Sequence, residues 1–302
     1  MTTPIAERAR AVAEHWTSVD GTSTRYLEAG RGHPVVLIPG EGGVAEQWYD
    51  VIGALSDHYR VIALDLPGFG YTEPIADVSA PAFAAFVWRF ARTLGLARPV
   101  LVGHSLGGAI AVHAAVDRPG DVPALVLISA AGMGRAVNPA LVLQSVTPLG
   151  DLTPLLVPLL PYSTRLFVLG TALVGSCRPW RISRRWWPSQ AQAVATPGVL
   201  ATTLRSQRVH VGLFGQRDPL LDRLRDLPMP TLVLWGIHDR QLPFWQGIAA
   251  RRRLRRGRLR LVPLTSHLLP LEAPGAVVSA VRPFLDGVPA VDGDPSGGGE
   301  PS

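Results

Sequence analysis

A serine within Gly103-His104-Ser105-Leu106-Gly107-Gly108 is the residue of this chain best placed for nucleophilic chemistry. The apolar run Val100-Leu101-Val102 precedes it and Ala109-Ile110-Ala111-Val112 follows, so the G-x-S-x-G pattern falls between a strand and a helix. In that setting the turn is tight enough to force Ser105 into a strained backbone conformation with its hydroxyl exposed. A β-carbon two residues to either side would clash, which accounts for Gly103 and Gly107. The helix that starts at Leu106 aims its positive end at the same place.

A serine hydroxyl is a weak nucleophile near neutral pH and needs a base. Of the eight histidines, His104 lies inside the turn but points the wrong way along it, and His113 sits in the following helix. His15, His33, His58 and His210 have no catalytic setting and read as surface or loop residues. His267 differs: it follows the last apolar run, in Val262-Pro263-Leu264-Thr265-Ser266-His267-Leu268, and precedes the last helix. Loops at the carboxyl ends of strands are where open α/β sheets place functional groups. The third member must orient the imidazole and stabilise its charged form. Asp239 stands at the tip of the loop that follows Thr231-Leu232-Val233-Leu234-Trp235-Gly236. Its rival Asp218 precedes that strand and so belongs to the wrong end, and the loop after residues 124–128 offers no carboxylate. In chain order the three are Ser105, Asp239 and His267.

The elements that must position these residues alternate between strand and helix. Strands are expected at 15–20, 24–29, 35–38, 60–64, 100–102, 124–128, 231–234 and 259–262. Helices are expected at about 44–56, 81–94, 106–116, from about 244, and at 273–285. This is an α/β pattern, with a mostly parallel central sheet flanked by helices. Residues 133–211 break the alternation with a stretch rich in Pro, Leu, Arg and Trp. A structureless loop of that length is implausible in a compact domain, so an inserted helical cap is expected there. The expected division is therefore core at 1–132, cap at 133–211, core again at 212–287, and a disordered Gly/Pro/Ser/acid tail at 288–302.

Composition sets the outer bounds. The chain has 302 residues, 47% of them hydrophobic, enough for one substantial core. The single cysteine, Cys177, excludes a disulfide within the chain, and the N-terminal residues lack the apolar run of a signal peptide. A cytoplasmic location is the resulting expectation. The most apolar stretch, 141–175, is interrupted by Pro148, Asp151, Pro154, Pro158, Pro161 and Arg165, so stable membrane insertion is not expected. The net charge is +6 and every basic residue is arginine. The run Arg251 to Arg260 has no nucleic-acid-binding motif beside it and reads as a solvated face; no nucleic-acid partner is expected. Oligomeric state is left open by the sequence.

These residues strongly resemble the α/β-hydrolase superfamily over nearly the whole core. Asp65-Leu66-Pro67-Gly68-Phe69-Gly70-Tyr71-Thr72 is similar to its D-x-P-G-x-G-x-S stretch, with Thr72 for the usual serine. Residues 236–243 resemble its acid loop, and the insertion resembles its lid. The resemblance implies an oxyanion hole built from two backbone N–H groups, those of Leu106 and Glu41. Glu41 follows Pro39-Gly40, where the family usually has His-Gly, so the support of that loop must differ. Its carboxylate is expected to face the pocket.

The function expected on these grounds is hydrolysis of an acyl bond, above all a carboxylic ester, of a largely apolar small molecule through an acyl-enzyme. The resemblance implies no metal and no organic cofactor. A second reading is carbon–carbon bond hydrolysis of the kind that acts on ring-fission products. Relatives of that type usually carry a Ser-Gly-Pro-Gly-like oxyanion loop and a tryptophan after the histidine, where this chain has Glu41-Gly42-Gly43 and Leu268. A cofactor-free perhydrolase activity on the same triad is left open by the sequence. A third reading is a silent binding protein that kept the fold.

Overall fold

The computed structural model describes residues 12–160 and 162–288. The expected tail lies outside these, apart from Val288, as do the first eleven residues, on which the expectation about a signal peptide falls.

The described chain begins with an antiparallel pair, Ala13–Val19 (β1) and Thr22–Ala29 (β2). Asp20 and Gly21 turn it, both at positive φ, as a two-residue hairpin whose twist must match its strands requires. Next come Pro34–Ile38 (β3), the helix Tyr49–Leu55 (α1), Arg60–Leu64 (β4), Ala80–Thr93 (α2), Val100–His104 (β5), Leu106–Asp117 (α3) and Leu125–Ile128 (β6). Ser79 caps α2 by accepting from the Ala82 N–H, and Gly95, at φ +64°, lets the chain leave it. The expected single helix at 44–56 is instead a 3₁₀ turn at Ala45–Trp48 running into α1.

Between β6 and the short strand Val211–Gly212 (β7) lie, among the described residues, five α-helices: Pro139–Val146 (α4), Leu152–Leu156 (α5), Ser163–Gly175 (α6), Trp186–Ala195 (α7) and Val199–His210 (α8). Strand β7 forms a small hairpin with Gly215–Gln216 (β8), which the sequence pattern does not suggest. Thr231–Gly236 (β9), Trp245–Arg253 (α9), Gly257–Val262 (β10), Leu269–Glu272 (α10) and Pro274–Asp286 (α11) complete the fold.

Among the described residues eight strands form one sheet in the order β1-β2-β4-β3-β5-β6-β9-β10, parallel from β4 to β10. Strands β3, β5, β6 and β9 are nearly continuous apolar runs because helices cover both of their faces. Val36, Ile38, Leu101, Leu127 and Val233 pack on one side with residues of α2, α3 and α9, while Val35, Leu37, Val102, Val126 and Leu234 pack on the other with α1 and α11. Edge strand β10 instead alternates, with Arg258 and Arg260 outward.

The strand order decides where a site can form. After β3 the chain moves outward to β4, then crosses back to lay β5 on the other side of β3. The loops leaving β3 and β5 therefore diverge, and a crevice opens at the carboxyl ends of those strands. No helix among the described residues is long and apolar enough to cross a membrane.

Candidate active site

Ser105 joins β5 to α3 with φ 54° and ψ −120°, a conformation that side chains other than glycine rarely adopt. The surrounding glycines make the turn possible. A β-carbon on Gly103 would fall on the Gly107 carbonyl, and one on Gly107 would fall on the carbonyls of Ile38 and Pro39. Gly108 is closed off in the same way by Ala130.

Ser105 Oγ lies 2.9 Å from His267 Nε2, and His267 Nδ1 lies 3.0 Å from Asp239 Oδ2. A carboxylate only accepts, so Nδ1 carries the proton and Nε2 is left to accept from the serine hydroxyl. Asp239 Oδ1 accepts from the N–H groups of Gln241 (2.9 Å) and Leu242 (2.8 Å), which locks the carboxylate in its loop. Burial raises the Asp239 carboxyl, but His267 and the two backbone donors outweigh it and hold it below the ordinary carboxylate range. The structure thus brings together the three residues singled out in the sequence. Asp218 is elsewhere, half-exposed and 3.2 Å from His113 Nε2.

Several residues that the sequence pattern does not single out hold this arrangement. His104 is buried, and its Nε2 donates to the His267 carbonyl (2.9 Å). That donor assignment follows because a carbonyl only accepts, and it leaves His104 Nδ1 to accept from Gln47 Nε2 at 3.4 Å. Burial, reinforced by the neighbouring His267, pushes the His104 imidazole down to about 3, so it stays neutral. Glu272 anchors the loop from below. It accepts from the Ser266 N–H with one oxygen, and from Ser176 Oγ and the N–H groups of Cys177 and Arg178 with the other. The Leu268 N–H donates to the Gly175 carbonyl at 2.8 Å, tying the same loop to the end of α6.

The loop after β3 approaches Ser105 from the other side. A β-carbon on Gly40 would stand 3.1 Å from Ser105 Cβ and 3.2 Å from His104 Nδ1, tighter than most such contacts, so glycine suits this close approach. The Gly43 N–H donates to the Gly40 carbonyl (3.1 Å) and closes the turn that contains Glu41. Where the family's histidine is missing, an ionic cluster braces the 3₁₀ turn at the far end of the loop. Arg25 reaches Asp65 (3.1 Å), Glu46 (2.5 Å) and Glu14 (2.8 Å), and Asp65 accepts from the Ala45 and Tyr71 N–H groups. Burial pushes the Asp65 carboxyl up to about 6, with Arg25 opposing. Thr72 accepts from the Arg25 N–H at 3.0 Å, using its hydroxyl where a serine is usual.

Ser105 and His267 open into a cavity of about 540 Å³ between the sheet and helices α4, α6, α7 and α8. Phe167, Val168, Trp186, Leu200 and Leu271 give it apolar walls. Glu41 is its one carboxylate among the described residues. Oε1 of Glu41 is buried without a hydrogen-bond partner, and its nearest ionisable neighbour is His210 Nδ1 at 3.9 Å. The sequence places His210 at the surface, but it closes α8 against the cavity. The Ala80 N–H donates to His210 Nε2 at 3.0 Å, which turns the Nδ1–H towards Ser206 and Glu41. Burial pushes the Glu41 carboxyl up to about 7, only partly offset by the Ser206 hydroxyl.

A sequence model described as the alpha/beta hydrolase fold matches residues 33–274. The 2-hydroxy-6-oxo-6-(2'-aminophenyl)hexa-2,4-dienoic acid hydrolase of Metapseudomonas resinovorans is 32% identical over 255 residues, 79% of this chain and 79% of that one. A dihydrolipoyllysine-residue acetyltransferase component of the acetoin cleaving system of Cupriavidus necator is 41% identical over 134 residues, or 44% of this chain. The chain matches only 36% of that longer relative. The crystal structure of a membrane phospholipase A, a bacterial virulence factor, superposes with a TM-score of 0.77 and 27% identity, covering 94% of this chain and 88% of the other. With its eight-stranded sheet, its strand–serine–helix turn and this match across most of its length, the chain belongs to the alpha/beta hydrolase fold family.

Proposed function

We propose that the protein is a serine hydrolase that cleaves a carboxylic ester of a largely apolar small molecule through an acyl-enzyme. The observation that carries this reading is the unbroken chain from Asp239 through His267 to Ser105 Oγ at the floor of an apolar cavity. Ser105 Oγ attacks the acyl carbon as its proton passes to His267 Nε2, and Asp239 stabilises the imidazolium. The N–H groups of Leu106 and Glu41 hold the oxyanion. His267 then protonates the leaving alcohol, and water repeats the sequence on the acyl group. Residues 133–211 act as the cap, and the walls contributed by α6, α7 and α8 select the substrate.

The likeness to a dienoic acid hydrolase favours a second reading, in which the same serine acts on a ring-fission product. Such a substrate carries its own carboxylate. No arginine lines the cavity among the described residues, and Glu41 would repel that group. This favours neutral esters. A series of p-nitrophenyl esters of graded chain length, run beside a vinylogous diketone acid, separates the two. Ester turnover with stoichiometric fluorophosphonate labelling of Ser105 is expected. Turnover of the diketone alone would select the second reading, and no labelling would select a silent binding protein.

Glu41 gives a pH signature. Below about pH 7 its carboxyl is neutral; above, it becomes an anion close to the developing oxyanion and disfavours the transition state. Glu41→Gln cannot ionise but keeps the backbone N–H. The ratio of kcat/KM, Glu41→Gln over wild type, should therefore rise several-fold as pH passes from 6 to 8, and more steeply with an anionic ester. A flat ratio for both esters would mean that the carboxylate does not act on the pocket.

A further inference from the structure

Large apolar side chains are exposed very unevenly on this protein. Of twenty-one such residues among those described, fourteen lie between 143 and 180. Leu155 and Leu159 are 59% and 72% exposed, Leu166 and Leu173 are 64% and 51%, and Trp180 is 77%. On α6 the pattern is helical: Val168, Ala172 and Gly175 face inward, and Leu166, Leu169 and Leu173 face out. Scattered surface leucines need no explanation, but fourteen exposed apolar side chains within one stretch of 38 positions do.

Charge is distributed in the same uneven way. Residues 133–211 contain eight arginines and one acid, Asp151, which already accepts from Arg208 at 2.8 and 3.0 Å. The rest of the chain is close to neutral, so this segment carries the whole of the net +6. Arg165 stands on α6 beside the outward leucines, and Arg181 and Arg184, both exposed, follow Trp180. Leucines flanked by arginines and an exposed indole have the composition of a surface that lies in the headgroup region of a bilayer.

We propose that the outer face of residues 143–160 and 162–184 docks on an anionic lipid bilayer. Apolar side chains enter the acyl boundary and the arginines meet the lipid phosphates. The charge selects this occupant over a second copy of the chain, since two such faces brought together would set Arg165, Arg181 and Arg184 against their counterparts, and the one acid of the face, Asp151, is already paired with Arg208. Phe167 and Val174 of α6 line the cavity, so a docked protein holds its cavity next to the lipid. Docking requires no catalysis, so the proposal stands or falls apart from the ester reading.

The test is co-sedimentation of the full-length chain with vesicles of equal parts phosphatidylglycerol and phosphatidylcholine, and with pure phosphatidylcholine. Binding is expected to the anionic vesicles, to be much weaker on the neutral ones, and to fall as salt is raised. The double variant Leu166→Glu/Leu169→Glu should weaken it by about tenfold or more while leaving melting temperature and turnover of a soluble ester unchanged. Leu166 and Leu169 are 64% and 42% exposed and lie outside the buried cluster of these helices, so the change removes little packing. Absence of wild-type binding, equal binding to both vesicles, or full binding by the double variant would overturn the proposal. So would a stable dimer in light scattering that does not bind vesicles, which would assign the face to a second copy.

Discussion

Ser105→Ala is expected to lower kcat for an ester by about 10³-fold or more and to abolish labelling by a fluorophosphonate. The loss falls on chemistry rather than binding, because the cavity walls and the loop around Gly40 are untouched. The residue also stands at positive φ, where alanine is no worse than serine, so the variant should fold as the wild type does. Measuring KM and kcat separately, with circular dichroism as a control for folding, checks this. A folded Ser105→Ala protein with full esterase activity would end the assignment of the nucleophile.

Asp239→Asn should cost about 10³- to 10⁴-fold in kcat, by analogy with other triads. The asparagine amide can still accept from the Gln241 and Leu242 N–H groups, so the loop should keep its shape. Facing His267 Nδ1, however, the amide can present an NH₂ group. That favours the tautomer with the proton on Nε2, which cannot accept from Ser105. Neither variant requires a change of fold to explain its loss. Steady-state kinetics beside Asp218→Asn make the comparison direct. Asp218 pairs with His113 far from the serine and should be nearly silent. If Asp218→Asn is the damaging change, the acid has been misassigned.

What the sequence makes legible depends on whether the information is local. Strand β4 is expected at 60–64 and is found at Arg60–Leu64, because a bounded apolar run between turn residues leaves little freedom. Apolar spacing and Gly95 place helix α2 to within a residue at each end. Ser105, Asp239 and His267 are located by their places at strand ends, and the strand order then juxtaposes them. The supports are invisible. His104 holds the His267 carbonyl across 163 positions, and Glu272 binds residues 94–96 positions away. Such contacts leave no periodic trace in one chain. His210 escapes for the same reason, since its place beside Glu41 depends on how α8 packs. The 3₁₀ turn before α1 is hidden because apolar spacing alone does not distinguish it from an α-helical turn.

The buried carboxyl of Glu41 also makes the native state a proton-linked one. Its acid form is retained in the folded protein up to about pH 7, whereas in an unfolded chain it would ionise near 4.5. Folding between about pH 4.5 and about pH 7 therefore takes up a proton. The stability Glu41 lends the protonated fold is complete below pH 4.5 and is progressively lost until pH exceeds about 7, a change on the order of 3 kcal/mol. A cavity ligand that donates a hydrogen bond to the ionised carboxylate would reverse part of that loss and release the proton. Alkaline conditions thus leave this protein more dependent on its ligand for conformational stability than acidic ones do.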